Sequence, residues 1–284
     1  MRRRVKRKMG LVLGIIFLLV STLVIYFNVP YSKLKTKFKG YLAESKEIIV
    51  ENKKTSKCTF KNFPQSIQDF YNYTGLVNKG DSKHVSFDFE DAHFVNIEMN
   101  KTLKINYSEH IFGGVPTRFA FIDSLLYGIP FQGLDSFIDG EGGMEGVIAK
   151  HITIFNHRGK EMNKAALVTW LGEIIFMPSQ LLSGDVDIKE IDKNTVAVSV
   201  AYDNIMASGV YKFLDNGELV EFTTDDRALI YNNGRIEHRT WSILYEDYKN
   251  NGDLLLPNRL KSKWHFDNED IIYFDGTKIK YIFY

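Results

Sequence analysis

The sequence predicts an α+β protein, mainly antiparallel β, in which one transmembrane helix precedes a curved sheet or half-barrel with a few helices. Three observations lead to this prediction. An uncharged apolar run extends from Met9 to Phe27. Beyond it, apolar residues recur at every second position in many segments, which is typical of strands with one solvated face. Strands and helices do not alternate regularly, so a parallel sheet is not expected.

The apolar run has the length of a membrane-spanning helix. About 20 residues rising ~1.5 Å each reach roughly 30 Å, the thickness of a hydrocarbon core. A cleaved signal peptide is the alternative, but its apolar region is usually about 7–15 residues long and ends in small residues. This run is longer and ends in Val24-Ile25-Tyr26-Phe27. We therefore expect an uncleaved signal-anchor.

Cations on both sides of the run set the expected orientation. Six Lys or Arg precede it, and four Lys follow closely. Because the cytoplasmic flank carries the excess of cations, we expect a single-pass membrane protein of the cell envelope with a cytoplasmic N-terminus. Its predicted parts are a cytoplasmic basic segment (1–8), a transmembrane anchor (9–28), a basic stalk (29–57) and a single extracytoplasmic domain (58–284). The stalk holds eight lysines, which favours a solvated spacer or a collar attracted to anionic headgroups.

Charge and cysteine content exclude several classes of site. Residues 58–284 hold 22 basic and 32 acidic residues, a net charge of −10. Because phosphate backbones require clustered cations, nucleic acid is not an expected partner. Cys58 is the only cysteine, so an internal disulfide or a CxxC site is excluded. The seven histidines lack metal-binding spacing, and neither a metal nor a cofactor is expected.

Two segments of the domain carry helical periodicity. A short helix is predicted over 63–75, with Pro64 suited to its first turn and Gly75 to its end. A second helix is predicted over 163–176, capped by Asn163 and stopped by Pro178. Its apolar stripe consists of Leu167, Trp170, Leu171 and Ile174. Such a stripe is expected to pack on the sheet.

Strands are predicted on both sides of the second helix. The alternating segments are 84–121, 195–202, a hairpin over 210–222, 241–248, 260–266 and 278–283, the last after an Asp275-Gly276 turn. The glycine-rich stretch 140–146 lacks the Gly-Lys-Ser/Thr ending of a phosphate loop. It is predicted to be a bulge or a tight crossing, where glycine permits close approach of the backbone.

Carboxylates are the only candidates for catalysis. Asp135, Asp139 and Glu141 cluster with Glu145 around the glycine-rich stretch. Two carboxylates across a cleft could serve acid–base chemistry; the alternative is the polar end of a strand. Asp226 and Arg227 end a predicted strand, where we place a further polar site or a structural ion pair.

The second helix also carries the candidates for ligand binding. Trp170 and Leu171 are predicted to touch or cover a ligand, with Glu173 at its rim. Glu173 lies one turn after the indole, where it would be partly removed from water. The alternatives are an ion pair between Glu173 and an arginine such as Arg227, or exposure of Glu173 to solvent.

The motifs together resemble an uncharacterised bacterial family, a domain of unknown function. The resemblance spans about 60 to 257 and rests on Phe63-Pro64-x-x-Ile67-x-x-Tyr71-x-x-Thr74-Gly75, Ile129-Pro130-Phe131, Leu134-Asp135-Ser136-Phe137-x-Asp139-Gly140-x-Gly142-x-Met144, Leu167-Val168-Thr169-Trp170-Leu171-x-Glu173, Pro178-Ser179-x-Leu181-Leu182, Phe222-x-Thr224-x-Asp226-Arg227, Tyr248 and Pro257. The family brings no established catalytic residues. The order of strands around a mid-chain helix also resembles, more loosely, the lipoprotein-carrier (Lol-type) fold, which implies a curved antiparallel sheet with an apolar ligand under its helices.

These observations favour a membrane-anchored envelope binding module for an apolar ligand, either a lipid, a lipoprotein or an envelope protein. Membrane lipid is the expected partner. The alternatives are an envelope assembly or interaction protein and a carboxylate-dependent envelope hydrolase, although the sequence favours no enzyme. An apolar space between helix and sheet would support the first function. A cleft with converging carboxylates would support the hydrolase, and a broad exposed apolar patch would support the assembly protein.

Overall fold

Helices lie at the beginning and in the middle of the chain, and strands make up most of the rest. The computed structural model describes residues 2–29, 31–51, 60–98 and 101–284. The α-helices are α1 (Arg2–Asn28), α2 (Lys33–Glu51), α3 (Gln65–Thr74), α4 (Lys160–Glu173) and α5 (Pro178–Leu182), and 3-10 turns cover Phe60–Asn62, Leu76–Lys79 and Ile174–Phe176. Cys58 and the predicted boundary between stalk and domain lie outside the described residues.

The strands form one long sheet and one short hairpin. They are β1 (His84–Asn96), β2 (Lys101–Phe112), β3 (Thr117–Leu126), β4 (Ile129–Ile138), β5 (Glu141–Ile148), β6 (Ile152–His157), β7 (Asp187–Asp192), β8 (Thr195–Tyr202), β9 (Ile205–Phe213), β10 (Leu219–Thr224), β11 (Ala228–Ile230), β12 (Ile236–His238), β13 (Trp241–Asn251), β14 (Leu254–His265) and β15 (Asp270–Phe283). The large sheet has 13 strands in the order β6-β5-β4-β3-β2-β1-β15-β14-β13-β10-β9-β8-β7. Neighbouring strands are antiparallel throughout, which confirms the predicted fold class.

The sheet curls around α4. This helix contacts β4 and β5 in one half of the sheet and β8 and β9 in the other half. β5 and β9 are nine inter-strand spacings apart in the strand order, which would be about 43 Å in a flat sheet at ~4.8 Å per spacing. A helix is only about 10 Å wide, so both halves can reach it only if the sheet is strongly curved. We call the face against α4 the inner face and the opposite face the outer face.

Glycines in β5 permit the close approach of α4. A Cβ atom at Gly142 would overlap the main-chain carbonyl of Met162 on α4. The backbone N–H of Gly142 instead donates a hydrogen bond of 2.9 Å to Oδ1 of Asn163. The glycine-rich stretch is therefore a tight crossing, as predicted. Asn163 does not cap the helix, since α4 begins three residues earlier at Lys160.

Two further boundaries differ from the prediction. The predicted Asp275-Gly276 turn is wrong, because both residues lie inside β15 and pair with β14 and β1. Gly276 is required there because the ring of Phe89 covers its Cα. This glycine therefore marks a close contact within a strand and not a turn. Pro178 begins α5 after the 3-10 turn that follows α4, whereas Gly75 ends α3 in the left-handed conformation, as predicted.

α1 is the one helix of the described residues that is long and apolar enough to cross a membrane. Its apolar side chains are exposed in the structure, among them Leu11, Phe17 and Leu18. An exposed apolar helix of this length is typical of a membrane-spanning segment. Its composition and length therefore agree with the predicted anchor.

The predicted stalk contains a helix that packs on the outer face of the sheet. Leu34 of α2 is fully buried and forms a small second core with Phe121, Leu134 and Val147, against which Phe38 also packs. Lys37 of the same helix makes a 3.2 Å ion pair with Glu145. Residues 34–41 are therefore packed on the domain and are not a free solvated spacer.

A pair of buried histidines lies on the same outer face, beside α2. Nε2 of His84 lies 2.8 Å from Nδ1 of His110, and the His84 ring is stacked between Phe112 and Tyr284. Burial, together with the charges of His110 and Lys46, lowers the pKa of His84 to about 3. Burial likewise lowers the pKa of His110 to about 4. Both rings are therefore neutral near pH 7.

This pair predicts that acid destabilises the fold before the carboxylates titrate. The ordinary histidine pKa is about 6.5 and the folded values are lower, so the unfolded chain binds protons first as the pH falls. The free energy of unfolding should be constant above about pH 7 and should decrease from about pH 6.5 towards pH 4. The measurement is denaturant unfolding of the full chain in detergent as a function of pH.

The matched variants for this test are His84→Phe and His238→Gln. His84→Phe keeps an aromatic ring in the stack and should flatten the pH dependence. His238 is exposed, so its replacement should leave the dependence unchanged. Equal slopes for the wild type and His84→Phe would contradict the assignment.

Candidate functional site

The inner face of the sheet and α4 enclose the predicted ligand-binding residues. Trp170 and Leu171 are both fully buried. The Trp170 indole Nε1–H donates a hydrogen bond of 3.2 Å to the carbonyl oxygen of Phe112. The hydroxyls of Tyr211 and Tyr245, from the other half of the sheet, donate to carbonyl oxygens of Leu171 and Gly172. The end of α4 is thus tied to both halves of the sheet.

Aromatic and aliphatic side chains fill the space between α4 and the sheet. The largest fully buried side chains of the inner face include Phe87, Phe137, Tyr211, Phe222, Trp241 and Tyr245. A Cβ atom at Gly172 would lie 2.7 Å from Cδ1 of Ile243, which shows how closely α4 meets the strands. The predicted site is therefore a filled apolar core in this structure.

Glu173 belongs to a buried charged cluster centred on Arg118. The Arg118 Nε–H donates a hydrogen bond of 2.8 Å to Oε2 of Glu173 and also contacts Oε1 of Glu109. One terminal nitrogen donates a hydrogen bond of 2.7 Å to Oδ2 of Asp135, and the other donates one of 3.0 Å to the hydroxyl of Tyr107. One arginine thus joins β2, β4 and α4. The predicted pairing of Glu173 with an arginine is found, but the arginine is Arg118 and not Arg227.

Strand register explains how these side chains meet. Ala120 on β3 lies directly opposite Glu109 on β2 and Asp135 on β4. Arg118 is two residues before Ala120, so it projects from the same face. Because the Ala120 side chain is small, the guanidinium has room to lie between the two carboxylates. A single arginine in the centre of three adjacent strands can therefore reach both neighbours and the helix above.

The cluster carries more negative than positive charge. Three carboxylates surround one guanidinium. Burial raises the pKa of Glu109 well above its ordinary value; Arg118 opposes this effect, and Glu173 adds to it. Arg118 contacts all three carboxylates, and the planar fork of its guanidinium gives these charge-assisted hydrogen bonds a specific geometry. The cluster is therefore built to hold α4 on the sheet.

The remaining predicted polar residues do not join this cluster. Asp139 and Glu141 are exposed at the turn between β4 and β5. Asp226 accepts hydrogen bonds from Lys164, at 2.5 Å, and from the Ser208 hydroxyl, at 2.6 Å. The structure thus separates Asp135 from the other carboxylates that the sequence placed beside it.

Arg227 has aromatic and main-chain contacts. Its guanidinium lies 4.3 Å from the ring centroid of Trp241 and donates to the carbonyl oxygen of Ala165 and the hydroxyl of Thr169 on α4. Cation–π contacts of this kind stabilise buried arginines. Within the described ranges, no group of three or more His, Cys, Asp or Glu side chains is arranged to hold a metal ion.

Sequence reasoning missed Arg118, Glu109 and Tyr107. A weak signal existed, because the charged residue Arg118 directly precedes the apolar segment Phe119-Ala120-Phe121-Ile122 in a region predicted to form strands. A charged residue that shares a strand face with Ala120 and Ile122 must either be exposed or have a buried partner. The partner could not be chosen, since β2, β4 and α4 are brought together only by the fold.

The packing of α4 predicts the effect of removing Trp170. Trp170→Ala should lower the free energy of unfolding by about 3–5 kcal/mol, because a fully buried indole leaves a cavity and an unpaired carbonyl. Trp170→Phe should cost less. Denaturant unfolding of the full chain measures both changes, with the exposed Tyr127→Ala as a control within about 0.5 kcal/mol of the wild type. A loss below about 1 kcal/mol for Trp170→Ala would mean that α4 does not support the sheet.

The Arg118 cluster predicts an unequal effect of two arginine substitutions. Arg118→Met should destabilise the fold by about 3–5 kcal/mol, because it leaves buried carboxylates without a cation. Arg227→Met removes an arginine that touches the same helix without breaking an ion pair, so its cost should be smaller. Adding Glu173→Gln to Arg118→Met should recover part of the loss. Equal unfolding free energies for the two single variants would contradict this charge balance.

Solved structures with a similar chain path come from three bacteria. One, described as a domain of an outer membrane lipoprotein-sorting protein from Vibrio parahaemolyticus, is 11% identical with a TM-score of 0.42, covering 79% of this chain and 93% of the other. A LolA superfamily protein from Nitrosomonas europaea is 11% identical with a TM-score of 0.38, covering 77% and 93%. A DUF1329 family protein from Desulfovibrio piger is 8% identical with a TM-score of 0.34, covering 76% and 93%.

The amino-acid sequence of the chain matches the model of one protein family. No curated protein sequence matches the chain. Residues 53–276 match the model of a family of unknown function, DUF6544. The matched range contains α3, strands β1 to β14, α4 and the Arg118 cluster, and it includes every motif on which the sequence resemblance rested. The chain therefore belongs to this family of unknown function.

Proposed function

We propose that the protein is a membrane-anchored binding module for an apolar ligand, such as a lipid, the acyl chain of a lipoprotein or an apolar segment of an envelope protein. The observation that carries this proposal is the inner face of the sheet. Outside the Arg118 cluster it is an apolar surface rich in aromatic rings, and the helical segments between 160 and 182 cover it. Aromatic side chains provide a large and fairly rigid lining for an apolar ligand.

The ligand enters by replacing contacts of α4. Because the interface is filled in the present structure, binding requires a state in which α4 and the following 3-10 turn move away from the strands. A ligand that binds only that state increases its population. Trp170 and Leu171 then touch the ligand, and Glu173 lies at the polar edge of the binding site, beside Arg118.

The sheet can admit a ligand because its ends are not joined. β6 and β7 are the two edges of the 13-stranded sheet, so the inner face opens along one side. A closed barrel would fix the distance between its walls. An open sheet can instead widen without breaking strand pairs.

The anchor supplies the location. We propose that α1 crosses the cytoplasmic membrane with the basic N-terminus inside and the domain in the extracytoplasmic space, in agreement with the excess of cations before α1. A module held there meets lipids and the apolar parts of exported proteins at high local concentration.

Catalysis by carboxylates has less support. Glu109, Asp135 and Glu173 converge, but they converge on Arg118. Glu109 and Glu173 are buried. Carboxylates that bind a buried arginine are oriented toward that arginine and do not face a substrate in an open cleft.

The test compares two leucine truncations on opposite faces of the sheet. The full chain is extracted in detergent, examined by native mass spectrometry for a bound lipid, and titrated with a fluorescent phospholipid. Leu171→Ala enlarges the inner-face space and should change the dissociation constant. Leu134→Ala removes the same atoms from the buried cluster under α2 and should leave it unchanged.

Folding of both variants is verified by circular dichroism, and Leu171→Met serves as a milder variant if Leu171→Ala is unstable. A wild type that carries no lipid and shows no saturable binding would refute the proposal. Equal changes for the two alanine variants would place the ligand elsewhere.

A further inference from the structure

Five large apolar side chains are exposed at the same end of the sheet. They are Leu125, Tyr127 and Ile129 around the β3–β4 turn, and Ile152 and Ile154 at the start of β6, with exposed fractions between 37% and 75%. The pairing of β4 with β5 and of β5 with β6 places both turns at this end. We call these five residues the rim. Single exposed apolar residues are common, whereas several at one end of a sheet indicate an interaction surface.

The rim lies beside the end of α1. The hydroxyl of Tyr26 donates a hydrogen bond of 3.0 Å to the carbonyl oxygen of Ala149, in the β5–β6 turn. Nζ of Lys150 donates 2.8 Å to the carbonyl oxygen of Tyr26 and also contacts that of Val29. The backbone N–H of Ala149 donates 2.8 Å to the carbonyl oxygen of Pro130, which joins this turn to the β3–β4 hairpin.

These contacts fix the height of the rim relative to a membrane. The apolar run from Met9 to Phe27 is about 28 Å long at ~1.5 Å per residue, so Tyr26 lies near the boundary of a hydrocarbon core of about 30 Å. Lys150 satisfies carbonyl groups at the end of α1 that otherwise have no helical partner. A turn bonded directly to Tyr26 must therefore lie at the level of the lipid headgroups.

The chemistry of the rim suits that level. Tyrosine and lysine are typical of the membrane–water interface, with the ring or the aliphatic stem in the apolar layer. Tyr127 is exposed at the tip of its hairpin, and Nζ of Lys101 lies 4.1 Å from its ring centroid. Isoleucine and leucine beside these residues provide apolar surface that water would not stabilise.

The two edge strands of the sheet differ in charge, and this difference supports the same placement of the β6 end at the membrane. β7 is protected by charges, with Asp187, Lys189, Glu190 and Asp192 among its six residues. β6 has the sequence Ile-Thr-Ile-Phe-Asn-His and no Lys, Arg, Asp or Glu. An uncharged apolar edge strand in water invites pairing with another chain, which proteins usually prevent with charges. The start of β6 thus has the composition of a strand that is not exposed to bulk water.

We propose that the rim is a second membrane contact, which inserts among the headgroups of the bilayer that α1 crosses. The sheet then stands with the β3–β4 and β5–β6 turns on the lipid and its opposite end away from it. The β6 side of the opening of the inner face lies at the membrane surface. This inference rests on the anchoring part of the proposed function and is independent of whether the inner face binds a ligand.

The experiment places an environment-sensitive probe at single cysteines. Cys58→Ser provides a cysteine-free chain, into which Tyr127→Cys, Ile152→Cys, Leu18→Cys and Met206→Cys are introduced one at a time. Each full-length protein is labelled with the fluorophore NBD and reconstituted in phosphatidylcholine–phosphatidylglycerol nanodiscs, with or without lipids that carry a doxyl quencher near the headgroup. Circular dichroism verifies folding.

Leu18 on α1 and Met206 are the controls. Met206 is exposed beside the β8–β9 turn, where Asp203 meets Gly140 at the other ends of β4 and β5. We expect blue-shifted emission and a loss of intensity with doxyl lipid at positions 127 and 152, and neither change at 206.

Each other outcome overturns the inference in a distinguishable way. Blue-shifted emission at position 18 with water-like, unquenched emission at 127 and 152 would leave the anchor and refute the rim contact. Blue-shifted but unquenched emission at 127 and 152 would mean that a protein, such as a second copy of the chain, covers the rim. Water-like emission at position 18 would refute the anchor itself.

Discussion

The burial of α4 between two halves of one sheet is the constraint on which the rest of the structure depends. α4 is buried along nearly all of its length, so strands that are far apart in the sheet must approach it from both sides. Gly142 and Gly172 allow α4 and the strands to lie close together, and a large side chain at either position would push the helix away from the sheet. The curvature of the sheet, the aromatic lining of its inner face and the position of its open side all follow from enclosing this helix.

Polar groups reinforce the same enclosure from within. Arg118 links two strands of the first half to Glu173 at the end of α4, and Tyr211 and Tyr245 bind the same turn of the helix from the second half. Buried charges add little net stability, but they fix geometry because each misplaced partner is costly. The end of α4 is therefore held at one position by charge on one side and by hydroxyl groups on the other. Its beginning is held by Asn163 and Lys164.

Local patterns in the sequence predicted the local parts of the fold. The uncharged run to Phe27, the stripe around Trp170 and the period of two in the strands depend only on neighbouring residues, and the structure has each of these elements. The α2 segment was missed although Leu34, Phe38 and Tyr41 have helical spacing, because the surrounding lysines suggested a solvated chain. Its burial depends on Phe121 and Leu134, which are distant in sequence.

The candidate site was predictable only in part, because it depends on strand register. An ion pair between Glu173 and an arginine was one of the alternatives, with Arg227 as the example, but identifying Arg118 required knowing which strand lies under α4. Asp135, Asp139 and Glu141 are close in sequence, but Asp135 points to the inner face while the other two are exposed at the β4–β5 turn. Alternation along a strand separates residues that a linear count places together.

The last strand of the chain also has a consequence for the order of folding. β15 lies in the middle of the sheet, between β1 and β14, and its residues 270–283 form the seam between the two halves. Until residues 270–283 have been synthesised and have paired, β1 and β14 are both unpaired edges. The two half-sheets can therefore join only after all the other strands of the large sheet have been synthesised. Each half-sheet meanwhile presents a free strand edge that is open to pairing with the wrong segment or with another chain.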